Sequence, residues 1–584
     1  MDRRTQGRAR WPALGLLLLL LAVTMILWRL RGSHGHEVEY FGRTTPPDEE
    51  VFRFANGAEP ETLDPGLLSG QPDGRVARLL FEGLVTPDPE TLVPRPGMAK
   101  SWELAPDGVT YLFHLRTDSR WTNGDRVTAH DFEWSWLRLL HPDTPARYAD
   151  LFYLIRNARA YKKKEIADPA PVGIRALDDS TFQVVLEVPT PYFLQLLTYH
   201  PFLPVHRRTL ETWGDRWTHP EHIVGNGPFR LLRHRQNDRL EFEKFPGYWD
   251  AARVRLRRIV CYSVDDPSTM LSMYRAGMTD WNPSGYVPAQ MIPYIQHYAD
   301  YRTGPYLALY FYSMVVTEPP LDDPRVRRAL AYAIDRERIA RYVLHGSGAP
   351  WGNIVPHGFR DYPYPEGVHF DPERARRLLA DAGYPGGQGF PAVELLFNTG
   401  EDNKKIGEAV QAMWKEHLGI DLRLSSQEWA SYMRATVECR YQIARRSWIG
   451  DYMDPNSFLA ILVTGDGNSR TRWSNARFDS LVAAAGRERE PVQRLQLLAQ
   501  AEAVALDAMP FIPIYAYCNR EFVAPYVRGI HPTALDEHPL KYVSLARGED
   551  RMGRAHTGEE QALGRAAEDS VAVGGATTGT GSGR

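Results

Sequence analysis

Cysteine is scarce: only Cys261, Cys439 and Cys518 occur in 584 residues. No CxxC pair and no Cys/His ligand spacing is present, so a zinc site has no support. One disulfide is permitted, but buried free thiols are the plainer reading. An excess of one charge is also lacking. The formal net charge is −3, which at this length does not favour a nucleic-acid partner. Phosphate-cradling and hydrolytic signatures are missing too, since no GxGxxG, Walker A, HExxH or GxSxG motif stands in a usable context. His219 and His222 are close together without a third ligand and read as turn residues, while His34 and His36 lie in a polar linker. No nucleophile–base pair can be nominated. The chain therefore reads as a non-enzyme without metal or cofactor, and a peptidase lacks any catalytic constellation.

What is present begins with residues 1–35. Arg3, Arg4, Arg8 and Arg10 precede an uncharged run from Trp11 to Trp28, centred on Leu16 to Leu21. The run is just long enough to span a bilayer. Its tryptophans suit the two interfaces and the arginines suit the cytoplasmic side, which puts the rest of the chain outside the cytoplasm. A cleaved signal peptide is the rival, but Trp28-Arg29-Leu30-Arg31 offers no small-x-small cleavage site, so an uncleaved anchor is expected. No cysteine lies near the run for lipid attachment. Residues 36–50 are a polar, Pro-containing linker. From 548 to 584 the chain is Gly, Ala, Glu, Thr and Ser without apolar periodicity, a tail that cannot bury enough surface to order itself.

Between these ends the pattern changes twice. Val51 to Phe54 alternates as a strand does, and Gly74 to Leu84 reads as a helix with Val76, Leu79, Leu80 and Leu84 on one face. From 84 to 206 short strands and turns dominate, including Tyr111 to Leu115, an Asn123-Gly124 turn, and a helix opened by Thr128 with Asp131 three residues on. From 207 to 307 more strands follow, then a helix from Ser268 to Ala276. From 308 to 518 the rhythm is α/β. Asp323-Pro324, Asp335 and Asp371-Pro372 each start a helix. Val393 to Phe397, Asn403 to Leu418 and Ile420 to Leu424 form a βαβ unit with a parallel strand pair. Trp, Tyr and Pro are abundant, which suits pockets and plain cores alike.

One stretch concentrates chemistry: Arg445-Arg446-Ser447-Trp448-Ile449-Gly450-Asp451-Tyr452-Met453-Asp454-Pro455. It follows a strand-like run from Tyr441 to Ala444 and reads as a strand-to-helix connection, the place where α/β folds bind ligands. Asp451 suits an ammonium, Arg445 a carboxylate, and Trp448 an apolar wall. A free peptide or amino acid offers all three groups. A plain turn with solvated charges is the alternative.

Glu82-Gly83-Leu84, Ala99-Lys100-Ser101-Trp102, Thr110 to Arg116, Trp121 to Trp136, Thr190-Pro191-Tyr192-Phe193, Gly225 to Phe229, Asp323 to Leu330, Leu396 to Thr399, Gln427-Glu428-Trp429 and Arg445 to Phe458 occur in an order that resembles a known family. It is that of the family 5 extracellular solute-binding proteins of bacterial ABC importers, and within it the oligopeptide-binding branch. The likeness covers about 50–545. It implies a class II periplasmic-binding-protein-like α/β fold of three lobes with hinge closure, here preceded by one transmembrane helix. Lobe I would comprise 51–83, 207–307 and 519–547, lobe II 84–206, and lobe III 308–518. The resemblance further implies that Asp451 holds a peptide ammonium, that Arg445 meets a carboxylate, and that Trp448, Trp429, Tyr148 and Tyr517 line the pocket.

Three positions depart from the family pattern. Asn403 replaces a histidine that reaches the carboxylate of longer peptides, Leu344 (beside His345) replaces a lysine of similar use, and Ser69 replaces a glutamate that contacts peptide. Amine capture is thus expected to be retained, with ligands of about two to four residues whose carboxylate reaches Arg445. The implied partners are short peptides, the permease and ATPase subunits of an importer, and the membrane, with the protein a monomer. A sensor or scavenging receptor on the same fold, without a dedicated permease, is the other reading.

Overall fold

The computed structural model describes residues 38–547 apart from 48, 49, 69, 360 and 467, with all their side chains except those of 401, 429 and 430. The expected membrane span at 11–28 and the tail from 548 lie outside the described residues. Among the described residues no helix is long and apolar enough to cross a membrane.

Two long antiparallel strands, Tyr301–Met314 and Phe511–Val523, organise the molecule. On one side of them the sheet continues through Ile443–Ile449, Val393–Asn398 and Leu422–Gln427. On the other side it continues through Trp281–Asn282, Val51–Ala55, Arg258–Tyr262, Arg239–Lys244 and Phe229–Arg235. The pairing of the long strands slips between Pro305 and Leu309. That slip separates two hydrophobic cores. Tyr301 and Phe522 belong to a core built with Phe52, Phe54, Trp136 and Trp281, whereas Leu307, Phe311, Ile512 and Ile514 belong to one built with Val326, Ile406 and Trp414. The two bodies are thus joined through paired strands whose ladder is irregular at the crossing.

Local chemistry explains most elements. Thr128 and Asp131 form the reciprocal capping box that starts helix Ala129–Leu140, and Asp323, Asp335 and Asp371 each accept a backbone N–H at the start of their helices. Helix Glu401–Leu418 ends on Gly419 in the left-handed conformation. Strands Val393–Asn398 and Leu422–Gln427 pair in parallel across that helix, as the βαβ reading requires. Residues 84–206 contribute a four-stranded antiparallel sheet of Ala99–Leu104, Thr110–Leu115, Thr181–Val185 and Ile174–Ala176. Its buried residues, Phe113, Phe132 and Trp136 among them, belong to one continuous core with those of the flanking segments.

Two boundaries differ from expectation in ways that matter. Helix Gln71–Leu80 stops before Leu84, because Phe81 turns to extended backbone and Asn226 takes over: its side chain accepts from Glu82 N and donates to Glu82 O. The strand expected to end at Ala444 instead runs Ile443–Ile449, paired with Ala308–Met314 along its whole length. Arg445 and Trp448 are therefore strand residues, and only Gly450 onward is connection.

Candidate functional site

A strand sorts its side chains alternately to two faces, so strand Ile443–Ile449 separates the residues that its sequence runs together. Arg445, Ser447 and Ile449 lie opposite Tyr312, Tyr310 and Ala308, and directly opposed residues share a face. Arg446 and Trp448 point the other way, opposite Phe311 and Leu309. Trp448 is thus not on the Arg445 face. Its indole N–H donates to Ser457 O at 2.7 Å, pinning the turn that follows, and its ring walls a separate side crevice that also reaches Asp451.

Beyond Ile449 the chain crosses from one body towards the other. Gly450 N donates to Leu307 O at 2.8 Å and Leu307 N to Ala534 O at 2.8 Å, which ties the start of the turn to the second core, while Tyr452 two residues on packs in the first. A Cβ at position 450 would stand 3.1 Å from the Phe458 ring, which explains the glycine. Asp451 N then donates to Ser457 Oγ at 2.9 Å. The Asp451 side chain faces a cavity of about 170 Å³ lined from both bodies, by Arg78, Tyr148, Tyr199, His200 and Glu537 on one side and Ile449 to Met453 on the other. No cation among the described residues pairs with its carboxylate. Burial, with the nearby Asp150 charge adding to it, pushes the Asp451 carboxyl up to about 6. A carboxylate that is desolvated, unpaired and turned into a cavity is a receptor for a cationic group.

The walls are fixed. Tyr148 stands edge-on to Tyr199 and His200, at 5.4 and 5.3 Å. Burial and the neighbouring Arg78 charge hold the His200 imidazole down to about 3, so it is neutral. Arg78 is paired with the buried Glu537. Among the described residues, the cavity has in charge one matched pair and one unmatched carboxylate.

Arg445 lies further along the same sheet face. Its guanidinium stacks 4.7 Å over the Tyr310 ring, donates from Nη2 to Tyr517 Oη at 3.1 Å and from Nη1 to Asn398 Oδ1 at 3.3 Å. Asn403 donates to the same Asn398 oxygen at 3.2 Å and accepts from Tyr310 Oη at 3.3 Å. The structure therefore brings Arg445, Tyr517 and Asn403 into one polar cluster, with Tyr310 as its floor. Asp451 and Tyr148 belong to the cavity at the other end of the face. Asp451 is six positions beyond Arg445, about 20 Å if the backbone between them is fully extended. The inward reach of the arginine shortens this to a span of about three or four extended residues.

The remaining candidate positions lie apart from this face or outside the description. Leu344 is buried in the second core and His345 is beside it in the left-handed conformation. Trp429 opens helix Trp429–Val437, and its side chain, like Ser69 as a whole, is outside the description. Several cavity residues had no signal in the sequence. Arg78 and Glu537 are 459 positions apart, and Tyr199-His200 sits in a run of ordinary core residues. Tyr306 and Tyr310 lie in an apolar strand that offered no charge to read.

Residues 93–470 match the family described as "Bacterial extracellular solute-binding proteins, family 5 Middle". The periplasmic oligopeptide-binding protein OppA of Salmonella typhimurium is 34% identical over 499 residues, which is 82% of this chain and 90% of that one. Among solved structures, the unliganded open form of the periplasmic murein tripeptide binding protein MppA superposes with a TM-score of 0.77 at 30% identity, covering 87% of this chain and 99% of that one. Haemophilus influenzae OppA in complex with the peptide RPPGFSPFR superposes with a TM-score of 0.69 at 32% identity, covering 86% of this chain and all of that one. Each is a binding protein by name, with a periplasmic-binding-protein fold. On the match over 93–470 and the identity with OppA, the chain belongs to the bacterial extracellular solute-binding proteins of family 5.

Proposed function

We propose that this protein is the membrane-anchored, peptide-capturing subunit of an ABC importer. The observation that carries the reading is Asp451, a desolvated carboxylate without a counter-ion among the described residues, turned into a cavity lined by both bodies. A peptide ammonium supplies the missing charge, and Arg445, near the far end of the same face, receives the carboxylate of a ligand of about three or four residues. Between them the ligand backbone lies along Ile449 and Ser447, where main-chain hydrogen bonds grip without reading side chains. Lobe I (51–83, 207–307 and 519–547) and lobe II (84–206) move as one body on their shared core. Lobe III (308–518) closes on them about the slip at Pro305–Leu309. The closed, loaded protein then delivers its peptide to a permease driven by ATPase subunits, with no reaction catalysed on this chain.

The test is calorimetry of the full chain with di- to pentapeptides, each with and without N-terminal acetylation. Free-amine peptides bind and their acetylated forms bind at least about a hundredfold more weakly, since an amide has no charge for Asp451 to neutralise. Arg445→Gln flattens the length optimum at three or four residues. Equal binding of free and acetylated peptides defeats the reading.

The anchor is tested separately. Residues 11–28 hold the full chain in the membrane pellet after alkaline carbonate extraction, and deletion of residues 1–37 releases it. Release of the intact chain by carbonate alone rules the anchor out.

A further inference from the structure

The turn that carries Asp451 is held from the opposite body as well as from its own. Tyr452 is stacked face to face on Tyr192, with ring centroids 4.4 Å apart and planes 9° from parallel. Tyr192 belongs to the 84–206 segment and Tyr452 to 308–518. Packing with Tyr192 draws Tyr452 into the first core although its neighbours in sequence belong to the second.

Both rings are seated rigidly. Phe193, adjacent to Tyr192, is fully buried against Tyr111 at 4.9 Å, which leaves Tyr192 projecting from its body at the start of helix Phe193–Leu196. On the other side Asn456 Nδ2 donates to Tyr452 Oη at 3.3 Å. Beneath both rings runs the buried pair Arg494–Asp454, bidentate at 2.7 and 2.8 Å, with the guanidinium 6.0 Å from the Tyr192 ring centroid. Asp454 also accepts from Asn456 N at 2.9 Å. The contact closes one edge of the cleft only, for beside it a crevice of about 240 Å³ remains open between Leu151 and Ile461.

We propose that Tyr192 is a positioning residue: its stack on Tyr452 fixes the Asp451 turn from across the cleft and couples ligand capture to closure at that edge. The inference rests on the two-body peptide-capture reading above. A ring pressed on the residue next to Asp451 limits where the carboxylate can point. The same contact must form or persist as the bodies approach, so it adds its stacking energy to the closed state and none to a wide-open one.

The experiment compares the full chain with Tyr192→Phe and Tyr192→Ala. Hydrogen exchange is read in the ligand-free protein, and trialanine affinity is read by calorimetry. In Tyr192→Ala, amides of 450–457 exchange up to about tenfold faster, the factor that corresponds to losing one stacked aromatic pair. Amides of 110–115 and 181–185, in the core behind Tyr192, are unchanged. Trialanine binds that variant up to about tenfold more weakly, through faster dissociation. Tyr192→Phe keeps the ring and stays within about twofold of the parent in both readouts. Unchanged exchange at 450–457 overturns the proposal. So does an equal acceleration at 110–115 and 181–185, because Tyr192 would then only support its own body. If trialanine does not bind the parent chain, the peptide reading fails, and the exchange arm alone decides the role of Tyr192.

Discussion

Asp451→Asn lowers the affinity for free-amine peptides by about two to three orders of magnitude, the effect of removing one partner from a buried charge pair. The same substitution stabilises the empty protein at neutral pH. In the parent, burial and Asp150 raise the Asp451 carboxyl from 3.8 to about 6, so keeping it ionised in the fold costs up to about 3 kcal/mol. The sign follows from proton counting. Between pH 3.8 and about 6 the folded empty protein binds more protons at this site than the unfolded chain does, so its stability falls as pH rises through that window. Asparagine removes the slope as well as the cost. Binding runs the other way: the ammonium needs the ionised acid, so affinity is about tenfold weaker at pH 5 than at pH 7 in the parent and nearly level in the variant. Calorimetric titrations at both pH values, with thermal melts of the empty proteins, check all of this. An affinity that is insensitive to both the mutation and pH would show that the ligand cation sits elsewhere.

Arg494→Met destabilises the protein by about 3–5 kcal/mol, because it strands the Asp454 carboxylate inside the fold. Both side chains are more than nine-tenths buried. Asp454 holds the backbone of the Asp451 turn through Asn456 N, so the damage spreads to the site and peptide affinity falls with stability. The combined variant Arg494→Met, Asp454→Asn recovers most of the loss. An amide oxygen still accepts from Asn456 N, and no unpaired charge remains. The double-mutant cycle, read from thermal unfolding, gives a coupling of about 2 kcal/mol or more. Additive single effects would mean that solvent reaches the pair and that it does not organise the turn.

Sequence alone determined what is local or periodic. Helix starts at Thr128, Asp323, Asp335 and Asp371 were legible because a capping side chain bonds a backbone N–H within three residues of itself. The βαβ unit over 393–424 was legible because its period changes from two to 3.6 and back, and the structure carries its last strand on to Gln427. The family, and with it Asp451 as the leading candidate, was legible because many short motifs kept their order.

The tertiary structure decided what depends on residues far apart in the chain. The sequence placed Arg445, Trp448 and Asp451 together as one short connection. The fold extended the strand through Ile449, because Ala308–Met314 lies beside it to take its hydrogen bonds, and period-two alternation then put Trp448 on the opposite face from Arg445. Residues 84–206 join one core with segments far away in the chain, such as Phe52, Phe54 and Trp281, which no local pattern could show. Asp451 itself shows the division most sharply. Its acidity was in the sequence. Its lack of a counter-ion among the described residues was not, because that is a property of every group packed around it, and those come from 78, 148 to 150, 199 to 200 and 537 as much as from its own turn.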